Sequence, residues 1–286
     1  MANQLALLKR DTVDVVADKV RAYQESGELN FPANYSPSNS LKSAWLTLQS
    51  AKDKNGKPVL ETCTRDSIAN SLLDMVVQGL TPAKEQGYFI AYGTQLTWQP
   101  SYFGVMAVCK RVTNATDITA QPIYEGDEFE FSINNGRVQI DKHTQKLENI
   151  GKKILGAYCV VEFGGDRPNV VGLMTREELA SAWAMSPMKS NKTRDDFPQQ
   201  MAKKTVIRRT CKPLINSSDD GSLVLKHFQH AEEASHEARI EAEVADNASR
   251  EPLDIEDADY SEPAPAKEPP QPEKQKDDWA DDAPPF

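Results

Sequence analysis

The chain has 286 residues, 39% of them hydrophobic, and a formal net charge of -10. That apolar content suffices for a core and excludes a wholly disordered chain. No run of about 18 apolar residues could span a bilayer and no N-terminal stretch resembles a signal peptide, so the expectation is a cytoplasmic protein without membrane attachment. Cys63, Cys109, Cys159 and Cys211 lie far apart with no C-x-x-C pair and read as reduced structural thiols, not a disulfide framework.

The first third reads as helical. Val13, Val16, Val20 and Tyr23 recur at helical spacing, Ser40 to Leu48 forms a short apolar-faced helix, and Thr64 caps a helix running to Val77 with Gly79 as its stop. Gly87 to Tyr92 and Gln95 to Gln99 are runs of β formers around Gly93, which predicts a hairpin, and Pro100 opens a helix to about Arg111. Strands follow at Ile118 to Tyr124 and Phe129 to Ile133, and Asn134-Asn135-Gly136 turns the chain into Val138 to Ile140. Ile154 to Phe163 reads as a longer, more buried strand, Gly164-Gly165 as a turn, and Val170 to Leu173 as its return. Thr175 with Glu178 makes a capping box for a helix to about Met185. A polar loop then leads into a basic helix, and Ser222 caps a last amphipathic helix reaching about Val244.

From about Ala245 the chain is rich in Glu, Asp, Ala and Pro, the composition of an extended disordered tail. The fold expected is therefore α+β: a single compact domain of antiparallel hairpins and a small sheet packed by helices, followed by an acidic Pro-rich tail. Within it we place an N-terminal helical region at 1–60 that makes oligomer contacts, a core at 61–222, a C-terminal helix at 223–245 and the tail at 246–286.

The charge is unevenly distributed. Between Ala231 and Phe286 eighteen Asp or Glu stand against five Lys or Arg, which leaves residues 1 to 230 with a slight positive excess. Five of those cations fall in Met201 to Lys212, Met-Ala-Lys-Lys-Thr-Val-Ile-Arg-Arg-Thr-Cys-Lys. At about 100° per residue, Lys204, Arg208, Lys212 and Arg209 span an arc of roughly 140°, with Val206, Ile207, Thr210 and Leu214 opposite. Lys203 falls on the apolar side and must snorkel, and Pro213 predicts a helix end at Lys212. No carboxylate lies within the stretch, the nearest being Asp195 and Asp196 upstream. Cations four apart repel by a few tenths of a kcal/mol per pair, a cost that points to a polyanionic partner such as a phosphate backbone. Tyr88, Tyr92, Trp98 and Tyr102, with Gln95, Gln99 and Lys110-Arg111 close behind, add flat surfaces suited to unpaired bases, although core filling is the ordinary role of such aromatics.

Gln78-Gly-Leu-Thr-Pro, Tyr88-Phe-Ile-Ala-Tyr-Gly, Gln95-Leu, Gln99-Pro-Ser-Tyr-Phe-Gly, Tyr124-Glu-Gly-Asp-Glu-Phe, Gly156-Ala-Tyr and Met201-Ala-Lys-Lys-Thr-Val-Ile-Arg-Arg, taken in order, resemble the RecT family of phage single-strand annealing proteins over about Ser71 to Ser217. The resemblance implies an ATP-independent recombinase that coats single-stranded DNA, forms rings or helical filaments, and anneals complementary strands. Its DNA would lie in a basic groove to which Gln99, Tyr102, Arg111, Lys203, Lys204, Arg208, Arg209 and Lys212 correspond by position. The family often has Leu-Pro after the last Lys of the basic helix, where this chain reads Lys212-Pro213-Leu214. No cofactor is implied, and an effect of Mg2+ on annealing is left open. There is no Walker G-x-x-x-x-G-K-[ST] sequence. The partners implied are single-stranded DNA and its annealed duplex intermediate, further copies of the chain, and a phage exonuclease, all in the bacterial host cytoplasm.

The last ten residues, Asp277-Asp-Trp-Ala-Asp-Asp-Ala-Pro-Pro-Phe286, resemble the acidic tip of bacterial single-strand binding proteins. Asp281, Asp282, Pro284, Pro285 and Phe286 would recruit host proteins that read such tips, or the acidic tail would compete with DNA for the basic helix. A passive single-strand-binding hub is thus the alternative reading. A metal-dependent nuclease built on Glu125, Asp127, Glu128, Glu130 and Lys142 is the enzymatic rival, but alternation with Phe129 and Phe131 puts these acids at a solvent edge. His227, His230 and His236 lack a companion ligand set and read as ordinary surface histidines.

Overall fold

Apolar side chains from the N-terminal helices through to the last helix meet in one core, from Val13, Val16 and Val20 to Phe228 and Ala231. The computed structural model describes residues 2–185, 196–218 and 223–248, and Met1–Asn247 forms one compact unit. The architecture is α+β.

Helix α1 (Ala2–Lys9) continues through a π-helical turn at Arg10–Asp14 into α2 (Val15–Glu25). Helix α3 (Pro37–Ser50) starts at Ser36, whose hydroxyl accepts from Asn39 N–H, and buries Leu41, Ala44, Trp45 and Leu48. After the short α4 (Val59–Thr62), Thr64 caps α5 (Arg65–Val77) by accepting from Ser67 N–H. Nine of the thirteen residues of α5 are buried, so it is the central helix, and Gly79 at φ 67° ends it where a side chain would be strained.

The hairpin β1 (Gly87–Tyr92) and β2 (Gln95–Pro100) pairs Tyr88 with Gln99 and packs β2 on α5. Helix α6 (Tyr102–Thr113) begins one residue past the strand, capped by Ser101. The main sheet is antiparallel, in the order β3 (Ala115–Tyr124), β6 (Ile154–Phe163), β7 (Val170–Thr175). Between β3 and β6 the chain makes a second hairpin, β4 (Glu128–Asn134) and β5 (Arg137–Thr144), turned at Asn135-Gly136, both with positive φ. Alternation along β6 sends Ala157, Cys159, Val161 and Phe163 to the helical side, while Tyr158 on the other face meets Phe129 and His143 of the hairpin.

Helix α7 (Arg176–Ala184) opens with the capping box of Thr175 and Glu178. Helix α8 (Pro198–Asn216), the basic helix, lies across β3, β6 and β7 and against α6, and α9 (Leu223–Ala248) follows. Gly172 on β7 permits the close approach of α8, since a Cβ there would stand 1.9 Å from Thr210 Oγ1. All four cysteines are buried and free. Three that are remote in sequence come together, and the neighbouring Cys109 and Cys159 thiols with burial push the Cys211 pKa far up. The polar loop at 186–195, the capping role of Ser222 and the tail tip of Asp281, Asp282, Pro284, Pro285 and Phe286 lie outside the described residues.

Two expectations need correction. Pro213 does not end the basic helix: it lies inside α8, which runs on to Asn216. A proline inside a helix loses its N–H bond to the residue four back and crowds the carbonyl there, and burial of Ile215 with half-burial of Leu214 offsets that cost and holds the last turn in place. Nor is Asp127 at a solvent edge. It sits in the turn before β4 with its side chain fully buried, accepting from Tyr124 N–H, Gln145 Nε2 and Asn149 Nδ2 at 2.9 to 3.0 Å, with His143 Nε2 at 3.3 Å.

Candidate nucleic-acid interface

The basic helix separates its two jobs by face. Ala202, Val206, Ile207, Thr210, Cys211 and Ile215 are buried at helical spacing, and Thr205 Oγ1 accepts from Trp183 Nε1 at 2.9 Å, tying α8 to α7. Lys204, Arg208, Arg209 and Lys212 face outward, Arg209 and Lys212 most exposed, and Lys203 is half-buried. Among the described residues Lys203, Lys204 and Arg209 make no ion pair. Burial first, and then the charge of Arg208, lower the Lys204 pKa, so its charged form lacks compensation.

Arg208 and Lys212 do have a carboxylate partner, which the stretch itself does not supply. Glu232 on α9 reaches Lys212 Nζ at 2.8 Å and Arg208 Nη2 at 3.5 Å. One turn further, Ser235 Oγ accepts from Gln99 Nε2, whose other acceptor is Tyr92 Oη at 2.9 Å. Helix α9 thus touches both the hairpin and the basic helix. It is anchored beneath by Val224, Phe228 and Ala231 and by a buried carboxylate on α5: Asp74 meets His227 Nδ1 at 2.6 Å and His230 Nδ1 at 3.0 Å. His227 is thus largely buried, which corrects the sequence-based expectation for that residue, whereas His230 and His236 remain exposed as expected, His230 with Asp74 as its partner. The hydrogen bond to Asp74 raises the His230 pKa against the effect of burial.

The remaining candidates divide. Tyr102 is half-buried and lies against Phe103 with ring centroids 4.0 Å apart and the rings tilted by 33°; burial raises its pKa. Tyr88 is 56% exposed, whereas Trp98 is fully buried against Phe89 and serves the core. Arg111 is engaged by backbone: its guanidinium donates to Val77 C=O at 3.3 Å and to Asn30 C=O, and lies 5.7 Å from the Phe31 ring centre. It staples α6 to the end of α5.

Two cation-rimmed hollows flank α7. One, of about 460 Å3, is bounded by Met174 and Ala182 and by Arg208, Arg209, Lys212 and Pro213 of α8. The other, of about 280 Å3, lies between Lys152, Lys153 and Arg176, with Ile154, Leu179 and Trp183 as apolar lining. These last three cations escaped sequence reasoning, and the Lys152-Lys153 pair ahead of β6 was the signal present for them.

A scan against family models matches the RecT family over residues 38–246, most of the chain and every element from α3 to α9. The chain belongs to the RecT family. A search of curated proteins found no match. Membership makes this RecT-family chain a phage-type single-strand annealing protein that binds DNA in recombination.

Two acids of the nuclease reading, Asp127 and Glu128, are already engaged. Asp127 is held at a pKa of about 2: burial raises it, but the bonds from Gln145, Tyr124 N–H, Asn149 and His143 outweigh burial. Glu128 pairs with Lys142 at 2.7 Å. Among the described residues no group of three or more His, Cys, Asp or Glu is arranged to hold a metal ion. No described helix is long and apolar enough to cross a membrane.

Proposed function

We propose that this RecT-family protein anneals complementary single strands without ATP, as an oligomer, with the DNA backbone lying along the exposed face of α8. The observation that carries the reading is α8 itself, which presents Lys203, Lys204 and Arg209 without ion-pair partners among the described residues of an acidic chain. Arg208 and Lys212 extend the row. Phosphate neutralises the repulsion among these cations and releases the counterions condensed on DNA, a sequence-independent source of affinity. Gln99, which touches α9, and Tyr102 are assigned to base contacts, with the exposed Tyr88 as a further stacking face. Arg111 is assigned to the scaffold, because its donors already serve backbone carbonyls. Annealing then needs no bond-making chemistry: with phosphates held, bases of a second strand test pairing, and stacking of each new base pair drives the process. No nucleotide cofactor enters, and Mg2+ would act through the DNA charge. The tail tip is assigned to host proteins that read single-strand binding protein tails.

The test is a two-step annealing assay with complementary oligonucleotides and no ATP, comparing wild type with Arg208→Ala plus Arg209→Ala. Wild type should pair the strands rapidly. The variant should bind weakly, with the slope of log K against log salt reduced by about 1.4, since each lost single-strand phosphate contact removes ~0.7. Equal annealing rates in the two proteins would overturn the reading.

A further inference from the structure

The Arg208 and Lys212 side chains come from successive turns of α8 and converge on one carboxylate, whose two oxygens they share: Oε1 faces Arg208 Nη2 and Oε2 faces Lys212 Nζ. A guanidinium and an ammonium on the two oxygens of a single anionic group are what a phosphodiester would require. We propose that Arg208 and Lys212 form a seat for one DNA phosphate, and that Glu232 occupies this seat in the DNA-free protein as an internal competitor that DNA displaces. The inference rests on the proposed path of DNA along α8.

Three features argue that Glu232 is a displaceable occupant and not a fixed part of the core. Its cationic partners are 41% and 53% exposed, so although Glu232 itself is only 22% exposed, solvent reaches both cations and screens the two ion pairs. The docking of α9 does not depend on them, because Phe228 and Ala231 are buried on the same helix and Asp74 holds His227 and His230 one turn earlier. The Glu232 side chain can therefore swing away while α9 stays seated. The seat also opens onto the 460 Å3 hollow walled by Met174 and Ala182, which leaves room beside the cations for an incoming sugar or base.

The position of α9 gives the competition a wider reach. Through Ser235 the same helix engages Gln99, so three members of the proposed interface, Gln99, Arg208 and Lys212, are occupied from one element. DNA arriving at the seat must exchange an internal carboxylate for a phosphate. Grip on the strand is thereby moderated, which suits a protein that must release the duplex it has made.

Direct titration of the full chain with fluorescent oligo-dT separates the possibilities. Glu232→Gln keeps the shape and removes the charge. It should tighten binding by about three- to tenfold, the effect of losing two competing, partly exposed ion pairs, with the gain shrinking as salt rises. Glu233→Gln, an exposed acid next along α9, controls for net charge and should give a clearly smaller gain. In a Lys212→Ala background the Glu232→Gln gain should shrink, since half of the seat is gone. Unchanged or weaker binding by Glu232→Gln, or an equal gain from Glu233→Gln, would overturn the seat. Those results would leave the α8 reading intact so long as Arg208→Ala plus Arg209→Ala still lost affinity; if that variant bound normally, both would fall.

Discussion

Gly172→Ala should loosen the basic helix from its sheet. The added methyl would lie 1.9 Å from Thr210 Oγ1, 2.9 Å from Thr210 Cβ and 3.1 Å from Thr210 Cγ2, whereas ordinary contact begins at 3.4 Å. Rotating the threonine moves Oγ1 away but breaks its hydrogen bond to Val206 C=O at 2.8 Å, and it leaves Cβ where it is. The helix must therefore back off by several tenths of an ångström, spoiling the packing of Val206, Ile207 and Cys211 together. Overpacking of a close-packed core costs about 1–3 kcal/mol, and β propensity returns no more than ~1 kcal/mol of this. The clash involves a buried β-branched residue, so the upper half of the range applies, about 2–3 kcal/mol gross. For a unit of this size that is a fall in Tm of roughly 4–12 °C. Urea and thermal melts followed by tryptophan fluorescence would measure it, and Thr210→Ala in the same chain should return part of the loss by removing Oγ1 and Cγ2. A Gly172→Ala protein melting within about 1 °C of wild type, or a double variant no better than the single, would refute the account of how α8 is seated.

The histidine anchor of α9 makes a pH prediction. Because Asp74 raises the His230 pKa, its contribution to stability is fully present below the unfolded value of about 6.5 and is lost as pH rises through the folded value. Asp74→Asn should flatten that decline in thermal melts taken from acidic to alkaline pH, and an unchanged slope would show that the pair carries no linkage. Removing Asp281 to Phe286 should leave annealing of purified strands intact while reducing recombination in cells; undiminished recombination by the truncated form would dispose of the recruiting role.

Local signals in the sequence were reliable because they act within a few residues. Thr64 and the Thr175 to Glu178 box cap helices through bonds that span three positions, and Gly79, Gly93 and Asn135-Gly136 place turns by their own backbone preferences. The failures all involve partners brought together by the fold. Pro213 signals a helix end locally, yet Ile215, two residues later, is buried deeply enough to extend the helix past it. Asp127 looks like one acid in an exposed acidic run, and only closure of the second hairpin gathers donors from positions 124, 143, 145 and 149 around it. Asp74 and His230 are 156 residues apart, and Glu232 reaches Arg208 and Lys212 from another helix. None of these contacts leaves a periodic trace. The cationic face was readable from spacing alone, but its partial neutralisation was not.

That partial neutralisation orders the two ends of the face. Lys204, Arg208 and Lys212 stand four apart, so each raises the electrostatic cost of its neighbour. Glu232 relieves the cost at Arg208 and Lys212 and makes no ion pair with Lys204, whose pKa burial and Arg208 together lower. On the proposed path an approaching phosphate would therefore gain most at the Lys203, Lys204 and Arg209 positions, where no carboxylate must leave first. A strand held there would bring its next phosphates to high local concentration beside Glu232, and displacing the carboxylate would become an intramolecular exchange, not a bimolecular one. On the proposed path, short oligonucleotides should thus be bound by the uncompensated cations alone, with longer strands also taking the seat that Glu232 guards.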